Sequence, residues 1–373
     1  MKIRFVLLLS ILILVLIGCE SDPPQTIEDA CGDPLESFKD YPLGTAQPTD
    51  GLTRSTQTLT GYFGTVLTLT IYTTDDVNPD DVFACTEMIY KTVHQQATSY
   101  ETFEGITNIA LINENPSQTY EIDPLLVDIL ETGIDYSNQM NGLFDITLGP
   151  VLGLWDEAMT TCNEGGVCEL PTEASLSEAN EAVGLEKINL VDNQITLEPG
   201  MNLELGGIAK GYAAGLVGDY LRYHEGVHGY LINAGTSNIE VYGIHPSREN
   251  GQWLIALRNP EGEFLDPYAR VYLESGEHIV TSGDYQRFFT VNDEIYHHII
   301  DPTTLAPGRE MRAITIIGPD GLFGDVLSTA AFLKPPEEAI EFVESFGYEA
   351  ILYGIDGAIY MSDSMNERIE LGE

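Results

Sequence analysis

The apolar residues of this chain change period several times, and each change marks an element. An apolar run from Phe5 to Ile17, interrupted only by Ser10, opens the chain, and residues 20–55 that follow it carry no regular period. From Tyr62 to Thr74, in YFGTVLTLTIYTT, apolar residues alternate with threonine, the period of a strand. DDVFACTEMIYKTVHQQATSYE (80–101) has helical spacing, and so does DPLLVDILETGIDYSNQMNG (123–142), with Asp123-Pro124 as a start and Asn141-Gly142 as a stop. GYLINAGTSNIEVYG reads as strand, glycine turn and strand; GQWLIALRNP and ARVYLES read as further strands. Towards the C-terminus the pattern predicts a strand at Ile314–Ile317, a helix from about Asp325, a helix in PPEEAIEFVESFG and two short closing strands, EAILYGI and AIYMSD. Strands and helices are interspersed without strict alternation. That order predicts an α+β fold with a mixed or antiparallel sheet.

The N-terminal run follows Met-Lys-Ile-Arg and is too short to span a bilayer comfortably, so it reads as a secretory signal. It ends in Leu16-Ile17-Gly18-Cys19, which resembles a bacterial lipobox, with Cys19 as the lipidated first residue of the mature chain. The expected layout is a signal peptide over 1–18, a flexible tether over 19–55 rich in Pro, Asp, Ser, Thr and Gly, and one domain over 56–373. The chain would then sit outside the cytoplasmic membrane, on the periplasmic or cell-surface side, held by its lipid. A hydrophobic fraction of 43% is enough for a large core. Lys plus Arg number 16 against 59 Asp plus Glu, a net charge of −43, which repels nucleic acid and leaves any anionic ligand to local donors or a metal. Apart from Cys19, an even number of cysteines remains for an oxidising compartment. Cys162 and Cys168 bracket a short loop suited to a local disulfide, which leaves Cys31 for Cys85 by elimination.

Against that acidity, LELGGIAKGYAAG (203–215) stands out: two glycines, a lysine and then a helical pattern. Glycines ahead of a helix let backbone N–H groups approach an anion, yet neither the Walker pattern nor G-x-G-x-x-G is present. Asp325 and Thr329, in FGDVLSTAAF, fall on one face of a helix and could offer oxygen ligands to Mg²⁺; the plain alternative is a helix cap beside an ordinary threonine. YHHIIDPTTLAPG supplies His297, His298 and Asp301, a histidine–carboxylate neighbourhood able to hold a base in one tautomer. Paired histidines on a strand put only one ring inward, so this signal is weak alone. Ser282, Gly283 and Asp284 form a strand-end turn, and Asp145 sits between Phe144 and Ile146, where a carboxylate needs a partner.

Taken together, YFGT, SYE, LFDITLGPVLGLW, LELGGIAKGYA, LINAGTSNIEVYG, TSGDYQRFF, HHIIDPTT and GDVLSTAAF stand in the order seen in the ApbE family of FAD:protein FMN transferases. The resemblance covers roughly residues 55–360 and implies a single two-lobed α+β domain, ApbE-like and T-fold-like. It implies Mg²⁺ as cofactor and FAD as bound substrate, with FMN passed to a Thr or Ser hydroxyl of a membrane redox protein and AMP released. The acceptor would be of the NADH:quinone reductase or electron-transport subunit type. Metal ligands would fall on Asp325, Thr329 and the Gly207 carbonyl. Flavin contacts would fall on Phe63, Tyr100, Leu143, Phe144, Asp145, Glu204, Lys210, His298 and Ile299. His298 is the candidate base, oriented by Asp301, with Asp325 able to share the role. The chain departs from the family at Glu204, where Asp is usual, and at Thr236 and Leu305, where glycine is common. The same donors would also serve an FAD pyrophosphatase with water as acceptor, or a flavin-binding lipoprotein without catalysis.

Overall fold

A computed structural model describes residues 51–235, 237–262 and 266–372. The hairpin β1 (Thr53–Tyr62) and β2 (Thr65–Thr73) is followed by α1 (Pro79–Ala97), α2 (Ile109–Glu114) and β3 (Tyr120–Glu121). Then come α3 (Pro124–Gln139), α4 (Gly149–Asn163), α5 (Glu173–Asn180) and the hairpin β4 (Ile188–Val191) and β5 (Gln194–Leu197). Helix α6 (Ala209–Tyr223) leads to β6 (Val227–Ala234), β7 (Asn238–Tyr242), β8 (Trp253–Arg258), β9 (Pro267–Leu273) and β10 (His278–Gly283). Four short strands, β11 (Phe288–Val291), β12 (Glu294–His297), β13 (Ile300–Asp301) and β14 (Ala306–Pro307), precede β15 (Met311–Gly318). The chain continues through α7 (Gly321–Phe332), α8 (Pro336–Ser345), β16 (Glu349–Gly354), β17 (Ile359–Met361) and β18 (Ile369–Leu371).

Eight strands form one sheet in the order β1-β2-β6-β7-β10-β15-β16-β17, and every pairing in it is antiparallel. Its two faces bury different cores. Leu67, Leu69, Ile71, Tyr230, Ile232, Ile314 and Ile316 point to the face covered by α1, α6 and α7. Tyr72, Val241, Ile279, Ile317 and Ile351 point to the other face and pack on Trp253, Leu257, Val271 and Leu273 of the small sheet β18-β9-β8. A third cluster joins α4 and α5 to the short strands through Val151, Trp155, Leu176, Phe289 and Ile300. Cys162 and Cys168 are disulfide-bonded at the end of α4, with Cα atoms 4.8 Å apart. Cys19, Cys31 and Thr236 lie outside the described residues.

Three details differ from the sequence reading. Strand β1 begins at Thr53, inside the stretch expected to be tether. Helix α7 begins at Gly321 and is capped by Asp320, whose side chain accepts from the Leu322 and Phe323 amides. Asp325 is therefore in the second turn of a helix already capped, and the reading of it as the cap fails. The third is α4, which starts at Gly149-Pro150 where no helix was read.

Candidate functional site

The loop between Leu203 and the first turn of α6 is pinned from both sides. Asn113 accepts from the Leu203 amide (2.8 Å) and donates to its carbonyl (2.9 Å), and the Glu204 amide donates to the Ile146 carbonyl (2.9 Å). Phe144 lies over Gly207 so closely that a Cβ there would stand 2.9 Å from its ring. Ile208 occupies the N-cap of α6 without a side-chain cap; the Ala209 amide donates to the Leu205 carbonyl (2.8 Å) and the Gly211 amide faces Asp325, so of the first-turn donors the Lys210 amide is left open.

Helix α7 crosses this end of α6 at Gly211. A Cβ on Gly211 would meet Asp325 Oδ2 at 2.6 Å and the Leu322 Cα at 3.1 Å, so the close approach requires glycine. Asp325 is buried, and Lys210 Nζ stands 3.5 Å from its Oδ2. At an effective dielectric of about 20, unit charges at that spacing attract by about 5 kcal/mol, comparable to the several kcal/mol lost on taking a carboxylate out of water. The balance leaves the Asp325 pKa raised, by burial first, against the opposing pull of Lys210, Asn238 and the Gly211 amide. No donor meets Oδ2 in hydrogen-bond geometry. Thr329, one turn on, donates its hydroxyl to the Asp325 carbonyl (2.9 Å) and keeps its oxygen lone pairs free.

The other side of the site comes from the segment after α1. Ser99 donates to Glu204 Oε2 at 2.5 Å, and the Gly206 amide donates to Oε1 at 2.8 Å. The extra methylene of Glu204 thus folds back on its own loop; burial raises its pKa while these two donors oppose the rise. Tyr100 is 69% exposed with its hydroxyl 3.5 Å from Asp156, which also pairs with Arg287 at 3.0 Å. Phe63 and Gly64 both have positive φ (52° and 62°), the backbone of a two-residue hairpin turn. The Phe63 amide donates to His94 Nδ1 (3.3 Å) and its ring packs edge-on to His94 (centroids 5.3 Å).

The histidine pair divides as the alternation requires. His297 is buried, accepts from the Ile299 amide at Nδ1 (3.2 Å) and donates from Nε2 to the Gly308 carbonyl (2.8 Å), which fixes a neutral tautomer. Burial lowers its pKa to about 4. His298 turns the other way. Its Nδ1 faces the Arg287 carbonyl at 3.3 Å, which places the proton there and the lone pair on Nε2. Its pKa is also lowered to about 4, first by burial and then by Arg287 and His297, with Lys210 adding to the effect. Asp301 does not orient it: that carboxylate accepts from the Thr303 amide (2.8 Å) and hydroxyl (2.7 Å) and closes its own turn.

Lys210, Asp325, Thr329 and His298 are therefore drawn together around the glycine turn, with Glu204, Tyr100 and Phe144 beside them, whereas Phe63 packs on Tyr90 and His94. Three expected contacts are otherwise engaged. Asp145 Oδ1 accepts from the Thr147 amide (2.7 Å) and hydroxyl (2.6 Å). Ile299 buries its side chain in the main core and uses its amide and carbonyl on His297 and Gly308, while Leu143 packs partly buried against that core. Sequence reasoning missed Asn238, which is buried, donates to the Gly321 carbonyl (2.8 Å) and lies beside Asp325. It also missed Arg287. A cation close to histidines in a chain with 16 Lys plus Arg against 59 acidic residues was the available signal.

Comparison with known proteins decides the family. The ApbE family model matches residues 63–352, most of the chain. The chain belongs to the ApbE family. It is 29% identical over 322 residues to a protein of Rhodobacter capsulatus named FAD:protein FMN transferase, covering 83% of this chain and 58% of that protein. A Klebsiella pneumoniae protein of the same name is 29% identical over 256 residues, covering 64% of this chain and 76% of that one. The crystal structure of the ApbE protein from Thermotoga maritima superposes with a TM-score of 0.70 at 25% identity, covering 84% of this chain and 99% of that one. The chain thus spans less than two thirds of the Rhodobacter protein's length and nearly all of the Thermotoga structure.

Proposed function

We propose that this ApbE-family transferase carries FMN from FAD to a Thr or Ser hydroxyl of an extracytoplasmic redox protein and releases AMP. The observation that carries the reading is the buried Asp325, its Oδ2 orphaned, set against the lysine and glycines that open α6. An orphaned carboxylate oxygen and a threonine hydroxyl one turn away are oxygen donors that suit a hard cation such as Mg²⁺, and the family resemblance adds the Gly207 carbonyl to them. Among the described residues no three His, Cys, Asp or Glu side chains cluster as metal ligands. Asp325, Thr329 and Gly207 would therefore hold the ion together with the phosphates of FAD. Mg²⁺ held there supplies positive charge against the pyrophosphate oxygens.

The chain's own groups account for the rest. The open Lys210 amide at the start of α6 and the Lys210 ammonium face the pyrophosphate and offset its charge. Tyr100 offers an exposed ring face to the isoalloxazine, Phe144 packs against the Gly207 turn, and Glu204, braced by Ser99, lines the same side. The acceptor hydroxyl bonds to the FMN-side phosphorus, its proton passes to His298 Nε2, and the bond to the AMP-side oxygen breaks. The lipid anchor at Cys19, and with it an extracytoplasmic location, is part of the proposal; the Cys162–Cys168 disulfide suits an oxidising compartment.

The test incubates the protein with FAD, Mg²⁺ and an acceptor domain bearing a surface threonine, and follows acceptor mass and nucleotides. An acceptor heavier by one FMN moiety, with AMP released, is the expected result. Free FMN and AMP with an unmodified acceptor would mean hydrolysis, and bound but uncleaved FAD would mean a binding protein.

A further inference from the structure

A second concavity lies on the other face of the large sheet, away from α6 and α7. It encloses about 150 Å³ and is lined by Arg54, Thr70, Tyr72, His245, Arg248 and Trp253, with leucines beside them. Register explains the convergence. Arg54 of β1 pairs with Tyr72 of β2, and Thr56 pairs with Thr70, their hydroxyls 3.0 Å apart, so Arg54 projects from the same face as Tyr72. The loop 245–251 closes over this face through hydrogen bonds from the His245 amide to the Gly251 carbonyl (2.8 Å) and from the Gly251 amide to the Arg248 carbonyl (3.0 Å). His245 packs edge-on to Trp253 (4.9 Å between centroids), and Trp253 meets Tyr72 at 6.0 Å. The Trp253 indole N–H is fixed on the Gly243 carbonyl at 2.9 Å, so the aromatic floor is rigid.

The charge here runs against the rest of the molecule. Arg222, Arg287, Arg309, Arg312 and Arg368 each face a carboxylate. Among the described residues Arg54 and Arg248 have none within ion-pair distance; the exposed Arg270 has none either, but of the three only Arg54 and Arg248 share a concavity, in a chain that holds 59 acidic residues. Both bear on one ring: the His245 pKa is lowered, by burial first, then by Arg248, with Arg54 adding to it. His245 Nδ1 accepts from the Ser247 amide (3.2 Å), so the neutral ring carries its proton, a donor, on Nε2. Two uncompensated guanidinium groups beside an N–H donor and the Thr70 hydroxyl are complementary to a tetrahedral oxyanion. The geometry points to a second anion site that takes a phosphate group, separate from the flavin site and on the opposite face of the sheet. That chemistry is shared by free phosphate compounds and by phospholipid headgroups.

The experiment uses the full chain carrying Cys19→Ser, so that no lipid anchor confounds membrane binding. FAD is present at saturation without divalent cation, so that the flavin site is filled. Inorganic phosphate is titrated by calorimetry, and vesicles of phosphatidylglycerol or of phosphatidylcholine are tested by co-sedimentation. One saturable phosphate site, weakened at least tenfold in Arg248→Gln and further in Arg54→Gln/Arg248→Gln, is expected for a free phosphate ligand. Sedimentation with phosphatidylglycerol alone, lost in the double variant, assigns the site to a headgroup. Both variants keep wild-type flavin transfer, which reports that they fold. Absence of saturable binding to either probe, or binding unchanged in the double variant, overturns the proposal.

Discussion

Asp325 and His298 concentrate the chemistry at the scale of single residues, and their environments assign them different work. Asp325 is buried with one oxygen unmatched, so its charge is held in place by Lys210 and by whatever cation meets it. Asp325→Ala should lower FMN transfer at least about 100-fold, in the range seen when a single electrostatic contact to a developing charge is lost. Single-turnover rates with FAD in excess would measure it, and an unchanged Mg²⁺-dependent rate would remove Asp325 from the site. His298, with its pKa lowered to about 4, is neutral and able to accept a proton throughout the physiological range. Transfer should therefore rise as pH passes upward through about 4 and show no inflection near 6.5, the ordinary histidine value. The rate profile of the wild type beside His298→Asn checks this, because only the wild type should carry the low-pH limb. His297 has the same depressed value for a structural reason. Below about 6.5 the unfolded chain takes up this proton before the folded one, so its contribution to stability is lost as pH falls from about 6.5 through about 4. An imidazole NMR titration should find His297 neutral at pH 5.5.

At the scale of elements, the site depends on two helices meeting where one of them lacks a side chain. Gly211→Ala places a methyl 2.6 Å from Asp325 Oδ2 and 3.1 Å from the Leu322 backbone. Because backbone cannot rotate away as a side chain does, α6 and α7 must separate, costing about 1–3 kcal/mol. Denaturant unfolding should show that loss, and transfer should fall along with it. The same scale shows what was legible in the sequence. The helices at α1, α3, α7 and α8 and the strands at β2, β6, β7 and β15 follow from periodicity and apolar content, since each helix buries a face on the large core and the strands bury one or both faces on the two cores of the sheet. Strand β1 does not, because as an edge strand it buries only Leu59 and otherwise reads Thr-Arg-Ser-Thr-Gln like a linker. Helix α4 hides behind Gly149-Pro150, which punctuates a loop in one context and opens a helix in another. The resemblance supplied the ordered motifs, and folding brings most of their residues to one place. It could not say that Arg287, rather than Asp301, meets His298, because that contact is through a backbone carbonyl. Leu305 shows the same limit. It takes the left-handed φ of 59° that suits a glycine, held by its amide on the Asp301 carbonyl (2.7 Å), so the substitution changed the residue and kept the turn.

Over the whole molecule, a net charge of −43 sets terms that no pairwise contact changes. Like charges spread over one surface repel, and the compact state holds them closer together than the unfolded chain does. Salt shortens the reach of that repulsion, from about 10 Å at 0.1 M to about 3 Å at 1 M. The buried Lys210–Asp325 and Arg222–Glu240 pairs are shielded from the same screening by the protein around them. Added salt should then remove the unfavourable long-range part of the electrostatics and spare the favourable short-range part. The transition temperature is expected to rise by several degrees between 0.05 and 1 M NaCl, a shift on the order of 1–3 kcal/mol for a chain of this size. Scanning calorimetry in sodium chloride, repeated in sodium sulfate, separates the two causes of such a rise: screening should saturate as ionic strength grows, whereas preferential exclusion of sulfate keeps climbing. A transition temperature that falls with sodium chloride would mean that surface ion pairs, rather than repulsion, dominate. The stabilising conditions would in that case be those of low salt, and the acidity would need another explanation than the surface field.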